Sequence, residues 1–297
     1  MLRPLSPVQA DRLDAVRALA DAVFVQPDGR TPGVARRFPG LLEPGAPGEA
    51  VAVEQDGRIA GALALRPLAF PGLEHERTAA IGLVAVEPDR RSRGVGAELL
   101  RIARRRLEEL GVTSAVLWAS RHELYERAGW RLLDHGVRGE AEGAPGEGRP
   151  AGIVVAPLDR LDPRPLAALR ALHDPDALER PAAWWGAIPF PGAQVHAVLA
   201  GHASAPAGYA LFGERGQERF LMELVGEPAT FGPLWSAVRA GSQRVTVNDR
   251  RGAPSQSWLE RGGVSFTDQR LALWLSLGGA AGGPSPVGRH VPWFDRI

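Results

Sequence analysis

The chain has 297 residues, 44% of them apolar and 23% charged, with a formal net charge of +1. That length suits one large or two ordinary domains with a sizeable core, and a charge so near zero argues against a nucleic-acid or anionic-membrane partner. There is no cysteine and no lysine, which excludes disulfides, thiolate metal sites, covalent thiol catalysis and any phosphate loop built on a lysine.

The first pattern is Gln9 to Phe24, where Leu13, Val16, Leu19, Ala20 and Val23 recur at helical spacing. A Gly/Pro-rich stretch, 26–49, follows, with a short helix expected around Val34 to Phe38. Ala50 to Leu68 is two apolar runs flanking Asp56-Gly57, a strong hairpin signal. Thr78 to Val86 reads as a third strand, and Val95 to about Leu110 as a helix closed by Gly111. On that helix Arg104 and Glu108, and Arg105 and Glu109, stand four residues apart, the spacing of an ion pair. Val112 to Ser120 is a further strand, His122 to Trp130 a short helix ended by Gly129, and a last strand begins near Trp130. Gly139 to Pro150 is glycine, proline and acid with almost nothing to bury, the composition of a linker or a long exposed loop.

The second half echoes the first in the same order. His196 to Phe212 matches the hairpin, Arg219 to Pro228 the long strand, Leu234 to Gly241 its helix, and Gln243 to Asp249 the strand after it. Setting Trp258 to Asp268 on Leu124 to Asp134 aligns Glu260 with Glu126, Arg261 with Arg127 and Gly263 with Gly129. Several echoes in one order indicate a duplicated domain. The seven histidines show no ligand spacing, so no metal is expected. The N-terminus has no apolar signal core and no apolar run is long enough to span a membrane, so a cytoplasmic protein is expected.

The segment that asks for an explanation is Arg90-Arg91-Ser92-Arg93-Gly94-Val95-Gly96, set between a strand and a helix. A strand that enters a helix through glycine presents unpaired N–H groups and the positive end of the helix dipole. Glycine lets that backbone approach an anion, and arginine adds a permanent charge. The expected ligand is a diphosphate or a similar anion. A lysine-dependent nucleotide loop is excluded, and the dinucleotide fingerprint fails because Leu99 stands where a small residue is needed.

What remains resembles the Gcn5-related N-acetyltransferase (GNAT) family. Its Val-x-Pro strand end is Val86-Glu87-Pro88, its Arg-x-x-Gly-x-Gly loop is Arg91 to Gly96, and its Tyr-x-x-x-Gly-aromatic segment is Tyr125 to Trp130. The agreement covers about residues 5 to 140. The resemblance implies an α/β fold of two tandem GNAT-like domains, each a mostly antiparallel mixed sheet flanked by helices, over 1–140 and, as a degenerate copy with a C-terminal tail, 151–297. The tandem arrangement is similar to the first two domains of the Eis-like acetyltransferases. Their third, sterol-carrier-like domain is not expected here, and the role of their terminal carboxylate is not carried over to Ile297.

The resemblance also implies acetyl-CoA as cosubstrate; the acceptor expected is a small-molecule amine, the alternative being a protein N-terminus or lysine, with an oligomer left open. Backbone groups of Leu83, Val84, Ala85 and Val86 would pair with the pantetheine arm. Arg91, Ser92, Arg93, Gly94, Val95, Gly96 and Ala97 would hold the pyrophosphate. Arg101, Arg104, Arg105 and Arg106 read as a solvated helix face from which one residue could reach the 3′-phosphate. Tyr125 matches the family's general acid, the alternative being a packing tyrosine. Glu74 and Glu76, with His75 between them, are candidate bases, the alternative being a solvated loop, and Ser120 could orient water. Trp184 and Trp185 would wall the acceptor cleft or serve as core. Two other classes stand beside acetyl transfer to an amine: a non-catalytic coenzyme-A-binding or sensor protein with the same fold, and a phosphotransferase, disfavoured by the missing lysine and metal ligands.

Overall fold

The computed structural model describes residues 2–25, 33–38, 41–44, 48–70, 77–119, 121–144, 150–180, 182–185 and 194–277. Glu74, His75, Glu76, Ser120, most of the expected linker's second half (145–149) and the tail from 278 lie outside the described residues. The described chain divides into two compact units, each built on a seven-stranded sheet.

In chain order the first unit holds β1 (Arg3–Leu5), α1 (Leu13–Phe24), α2 (Val34–Arg37), β2 (Glu49–Gln55), β3 (Arg58–Leu68), β4 (Thr78–Val86), α3 (Val95–Glu109), β5 (Ser114–Trp118), α4 (His122–Glu126) and β6 (Arg131–Leu132). The second holds β7 (His135–Glu142), β8 (Ile153–Pro157), α5 (Pro163–His173), α6 (Ala182–Trp185), β9 (Val195–His202), β10 (Ala205–Arg215), β11 (Glu218–Gly226), α7 (Pro228–Arg239), β12 (Arg244–Arg250), α8 (Pro254–Arg261) and β13 (Ser265–Arg270). The last described strand, β14 (Ala272–Ser276), belongs to the first unit.

The sheets have one topology. The first runs β1-β2-β3-β4-β5-β14-β6, and the second, read in the same sense, β8-β9-β10-β11-β12-β7-β13. Neighbours are antiparallel except β4 with β5 and β11 with β12. The duplication expected from the echoes is therefore present strand for strand, with one exchange. The sixth place in the first sheet is filled by β14, and the sixth place in the second by β7. The units thus interleave in sequence, dividing at Leu133/Asp134 and again at Leu271/Ala272, where a plain division into 1–140 and 151–297 was expected. Part of the expected linker is strand: Gly139–Glu142 pair with Arg244–Val247. Glycine and acid read as a linker because half of this strand's side chains stay out of the core; the ladder itself is main chain, which composition does not report.

Each sheet is covered on both faces. In the first unit, α3 presents Val95, Leu99, Ile102, Ala103 and Leu107 to Val53, Leu63, Ile81 and Leu117, and α1 presents Leu13, Val16 and Ala20 to the other face, against Ala52, Ala62 and Ala64. In the second unit α7 plays the part of α3, with Phe231, Leu234, Trp235 and Val238. Leu166 of α5 and Trp185 of α6 pack on the opposite face, so Trp185 is core. The local signals are realised: Asp56 and Gly57 both take positive φ in the β2–β3 turn, and Gly111 closes α3 at φ 69°. Arg104 pairs with Glu108 at 3.0 Å as expected, whereas Glu109 is taken by Arg106, which also reaches Glu49 on β2 at 2.7 Å.

Candidate active site

β4 is buried along most of its length, as a strand covered on both faces must be. It pairs with β5 only over Thr78–Ile81, against Ser114–Leu117. Beyond Ile81 its ladder is with β3 alone, and there the register slips between Ala62 and Ala64. Leu83 takes a left-handed φ of 50° at the slip. An extra residue at such a bulge bends the strand and raises its twist. The two parallel strands therefore part like a fork, and the β5-facing N–H and C=O groups of the last turn of β4 have no strand opposite. Buried main-chain polar groups require partners, so this fork is suited to an extended ligand that pairs as a strand does.

At the end of β4 the chain passes through a single turn, Pro88–Arg90, into Arg91–Gly94 and then α3. Ser92 (φ 60°) and Gly94 (φ 82°) are both left-handed. Gly94 stands directly before the helix, and no side chain caps it. The first internal helical bond runs from the Glu98 N–H to the Gly94 carbonyl, 3.0 Å. The N–H groups of Val95, Gly96 and Ala97 are thus the open donors of a helix N-terminus. A Cβ placed on Gly96 would meet only Val86 Cγ2, at 3.9 Å. Packing within the chain does not call for glycine there, so the bare backbone serves the cleft. Gly61 of β3 is the opposite case. A Cβ there would stand 2.7 Å from Val95 Cγ1 and 2.8 Å from Leu99 Cδ1, so glycine is what lets α3 sit this close to the sheet.

Fork, loop and helix start open on one cleft of about 930 Å³. Of the residues expected from sequence, Val84, Val86, Arg91, Ser92, Gly94, Gly96, Ala97 and Tyr125 line it together. Leu83 packs on the α1 face and Ala85 and Val95 point into the core, so any part these three take is through their backbones; Arg93 is exposed outside the lining. Tyr125 closes the cleft from the α4 side. Its ring is half-buried and meets Trp130 edge-on, with centroids 6.4 Å apart and planes at 80°. The Tyr125 carbonyl accepts from the N–H groups of Ala128 (2.8 Å) and Trp130 (3.2 Å), which ties the tyrosine to the turn at Gly129. Burial pushes its phenol above the ordinary value, so the hydroxyl keeps its proton at neutral pH.

Sequence reasoning missed, besides apolar residues of β4, α3 and α4 such as Leu100 and Leu124, the following parts of the lining. Arg121 and Arg127 cap the two ends of α4 on either side of Tyr125; Arg127 falls inside the Tyr125–Trp130 segment, which held the signal, and Arg121 just before it. Val23 comes from the end of α1. Leu275 comes from β14, 150 residues beyond Tyr125, and no local pattern announces it.

Residues 4–133 match the family model described as an acetyltransferase (GNAT) domain. The first unit is a GNAT domain. With it the chain is placed among the acyltransferases. No curated protein matches the sequence. Solved structures share the fold at low identity. A GCN5-related N-acetyltransferase from Anabaena variabilis superposes with a TM-score of 0.72 at 17% identity, over 94% of this chain and 73% of that one. A tandem GNAT protein from the clavulanic acid biosynthesis pathway gives 0.63 at 17%, over 94% and 100%. Eis1 from Mycobacterium abscessus gives 0.64 at 15%, over 93% and 74%. These likenesses extend the GNAT-like fold to the second unit and make the chain a tandem one.

Proposed function

We propose that the chain is an acetyl-CoA-dependent N-acetyltransferase that passes acetyl to a primary amine by direct attack within a ternary complex. The observation that carries the reading is the bare face of Gly96 among open helix N–H groups, beside a strand end with no strand on its β5 side. The first suits a diphosphate and the second an extended diamide arm, in the order in which coenzyme A presents them.

Bound acetyl-CoA would supply the thioester. Backbone N–H groups of the Leu83–Val86 strand end would polarise its carbonyl, and Gly94–Ala97 with Arg91 would hold the diphosphate. Tyr125, protonated at neutral pH, would give its proton to the departing sulfur. With no cysteine in the chain, the amine attacks directly, and the sites' main contribution is alignment. Glu74 or Glu76 would take the amine's proton, directly or through water, and Ser120 would orient that water. The second unit would bind no coenzyme and would help to shape the acceptor site.

An amine panel with released thiol as the readout tests the proposal. Turnover with at least one amine supports it. Tight acetyl-CoA binding in calorimetry with no turnover on any amine would favour the non-catalytic coenzyme-A-binding reading, and no binding at all would remove both.

A further inference from the structure

Five arginines line the coenzyme cleft of the first unit, Arg91, Arg101, Arg104, Arg121 and Arg127, and no carboxylate among the described residues does. Three of the five are committed. Arg101 pairs with Glu98 at 2.6 Å, Arg104 with Glu108 at 3.0 Å and Arg121 with Glu123 at 3.3 Å. Arg91 belongs to the loop, its Nε directed at the Val86 carbonyl, 3.4 Å.

Arg127 differs from the other four. It caps α4, its backbone N–H donating to the Tyr125 carbonyl; its side chain is exposed and, among the described residues, makes no hydrogen bond or ion pair. Glu123, one turn earlier, senses its charge without closing a pair. That carboxyl lies below its ordinary value first through its own backbone N–H, then through Arg121, with Arg127 adding the smallest contribution. Because β4 leads into the loop and β5 into α4, Arg127 stands on the opposite arm of the fork from the diphosphate loop.

The coenzyme carries two separate anions. Its diphosphate is matched by the helix N–H groups and Arg91. Its ribose also bears a phosphomonoester, close to a dianion at neutral pH. A planar guanidinium with no carboxylate to give up is the group best suited to a monoester, because binding breaks no existing pair.

We propose that Arg127 reads the ribose 3′-phosphate, so that this domain discriminates coenzyme A from its 3′-dephospho form. The inference rests on the coenzyme-binding reading above, and the test separates the two. Calorimetry measures coenzyme A and 3′-dephospho-coenzyme A against the full-length wild type and Arg127→Gln, which keeps a polar side chain and removes the charge. The wild type should prefer coenzyme A by about 10- to 100-fold, the range of one charge-assisted contact. Arg127→Gln should bring the two ligands to within about threefold of each other, with dephospho affinity unchanged from wild type. A wild type that does not discriminate overturns the proposal. So does a variant that keeps the full preference, or one that weakens both ligands equally. A wild type that binds neither ligand overturns the coenzyme reading itself. Because the side chain is exposed, melting curves of wild type and variant should coincide, and a large drop would assign Arg127 a structural part instead.

Discussion

The two units fork at the same place and do different things with the fork. β4 leaves β5 after Ile81 and Leu117, and β11 leaves β12 after Leu221 and Val247, so the splay is common to both copies. In the first unit eight residues, Glu87 to Gly94, separate strand from helix and leave the helix N–H groups open. In the second, α7 begins at Pro228, two residues after β11 ends. Pro228 has no N–H to offer, Glu227 precedes it with a negative charge, and Thr230 turns its hydroxyl back on the Glu227 carbonyl at 2.7 Å. At the fork itself, Glu223 aligns with Leu83. It is held by Arg180 and by the Tyr209 hydroxyl at 3.0 Å, and all three are buried. The splay is thus a property of the fold, whereas the open helix N–H groups that suit an anion belong to the eight-residue loop.

The largest effect is expected from Gly96→Glu. It puts a carboxylate where the diphosphate would lie and disturbs no packed neighbour, so acetyl-CoA affinity should fall by roughly 10³-fold or more with an unchanged melting curve. Ala229→Glu, exposed in the first turn of α7, should leave affinity and a stoichiometry of one coenzyme per chain untouched. A measured stoichiometry of two would end the distinction between the units.

Glu223→Leu writes the first unit's residue into the second. It deprives the fully buried Arg180 side chain of this carboxylate, and loss of one partner from a buried pair costs about 3–5 kcal/mol. Thermal unfolding should show the loss, while acetyl-CoA affinity of the folded protein should not move. An affinity change would mean that the second fork takes part in coenzyme binding.

Tyr125→Phe keeps the ring against Trp130 and removes the proton. The expected result is a kcat lower by roughly 10²-fold at nearly constant acetyl-CoA affinity. The phenol's raised pKa gives this a sign: the proton is present at and above neutral pH and is lost only above the ordinary tyrosine range. Wild-type kcat should therefore hold as pH rises past neutrality, and a fall between pH 7 and 9 would count against Tyr125 as the acid.

Gly61→Ala is the mildest change. The new methyl crowds Val95 and Leu99 and should cost about 1–3 kcal/mol by overpacking, with a weaker coenzyme affinity as the start of α3 shifts. Its counterpart Gly208→Ala meets Thr230 Oγ1 at 2.3 Å and should also destabilise. It should leave coenzyme affinity alone.

Much of this was legible in the residues because it is local. Asp56-Gly57 set the hairpin, the spacing of Val95, Leu99, Ile102 and Leu107 set α3, and the Arg-x-x-Gly-x-Gly loop with Tyr125 marked one cleft before its geometry was seen. The bulge at Leu83 was not legible, since a leucine with positive φ is imposed by strand pairing and has no propensity of its own. Nor was Leu275, whose place beside Tyr125 depends on a strand pairing far along the chain. The second fork's Glu223 sits in an apolar run and meets Tyr209 of β10 and Arg180 of the segment after α5 only in the folded chain, so its burial was invisible in a window of neighbours.

The exchange of β7 and β14 carries a consequence for how the polypeptide acquires its structure. During synthesis the β5 edge of the first sheet has to wait for residues 272–276, more than 150 residues downstream, before its antiparallel neighbour exists. Until then an apolar edge of five residues stands open, and open edges recruit other chains. Contacts this distant in sequence are slow to form because loop closure precedes any gain from them. The segment 4–133, which alone carries the recognisable loop, is therefore a poor candidate for independent expression. A chain interrupted after Leu271 should lose the first unit's integrity although every one of its other strands has already been made.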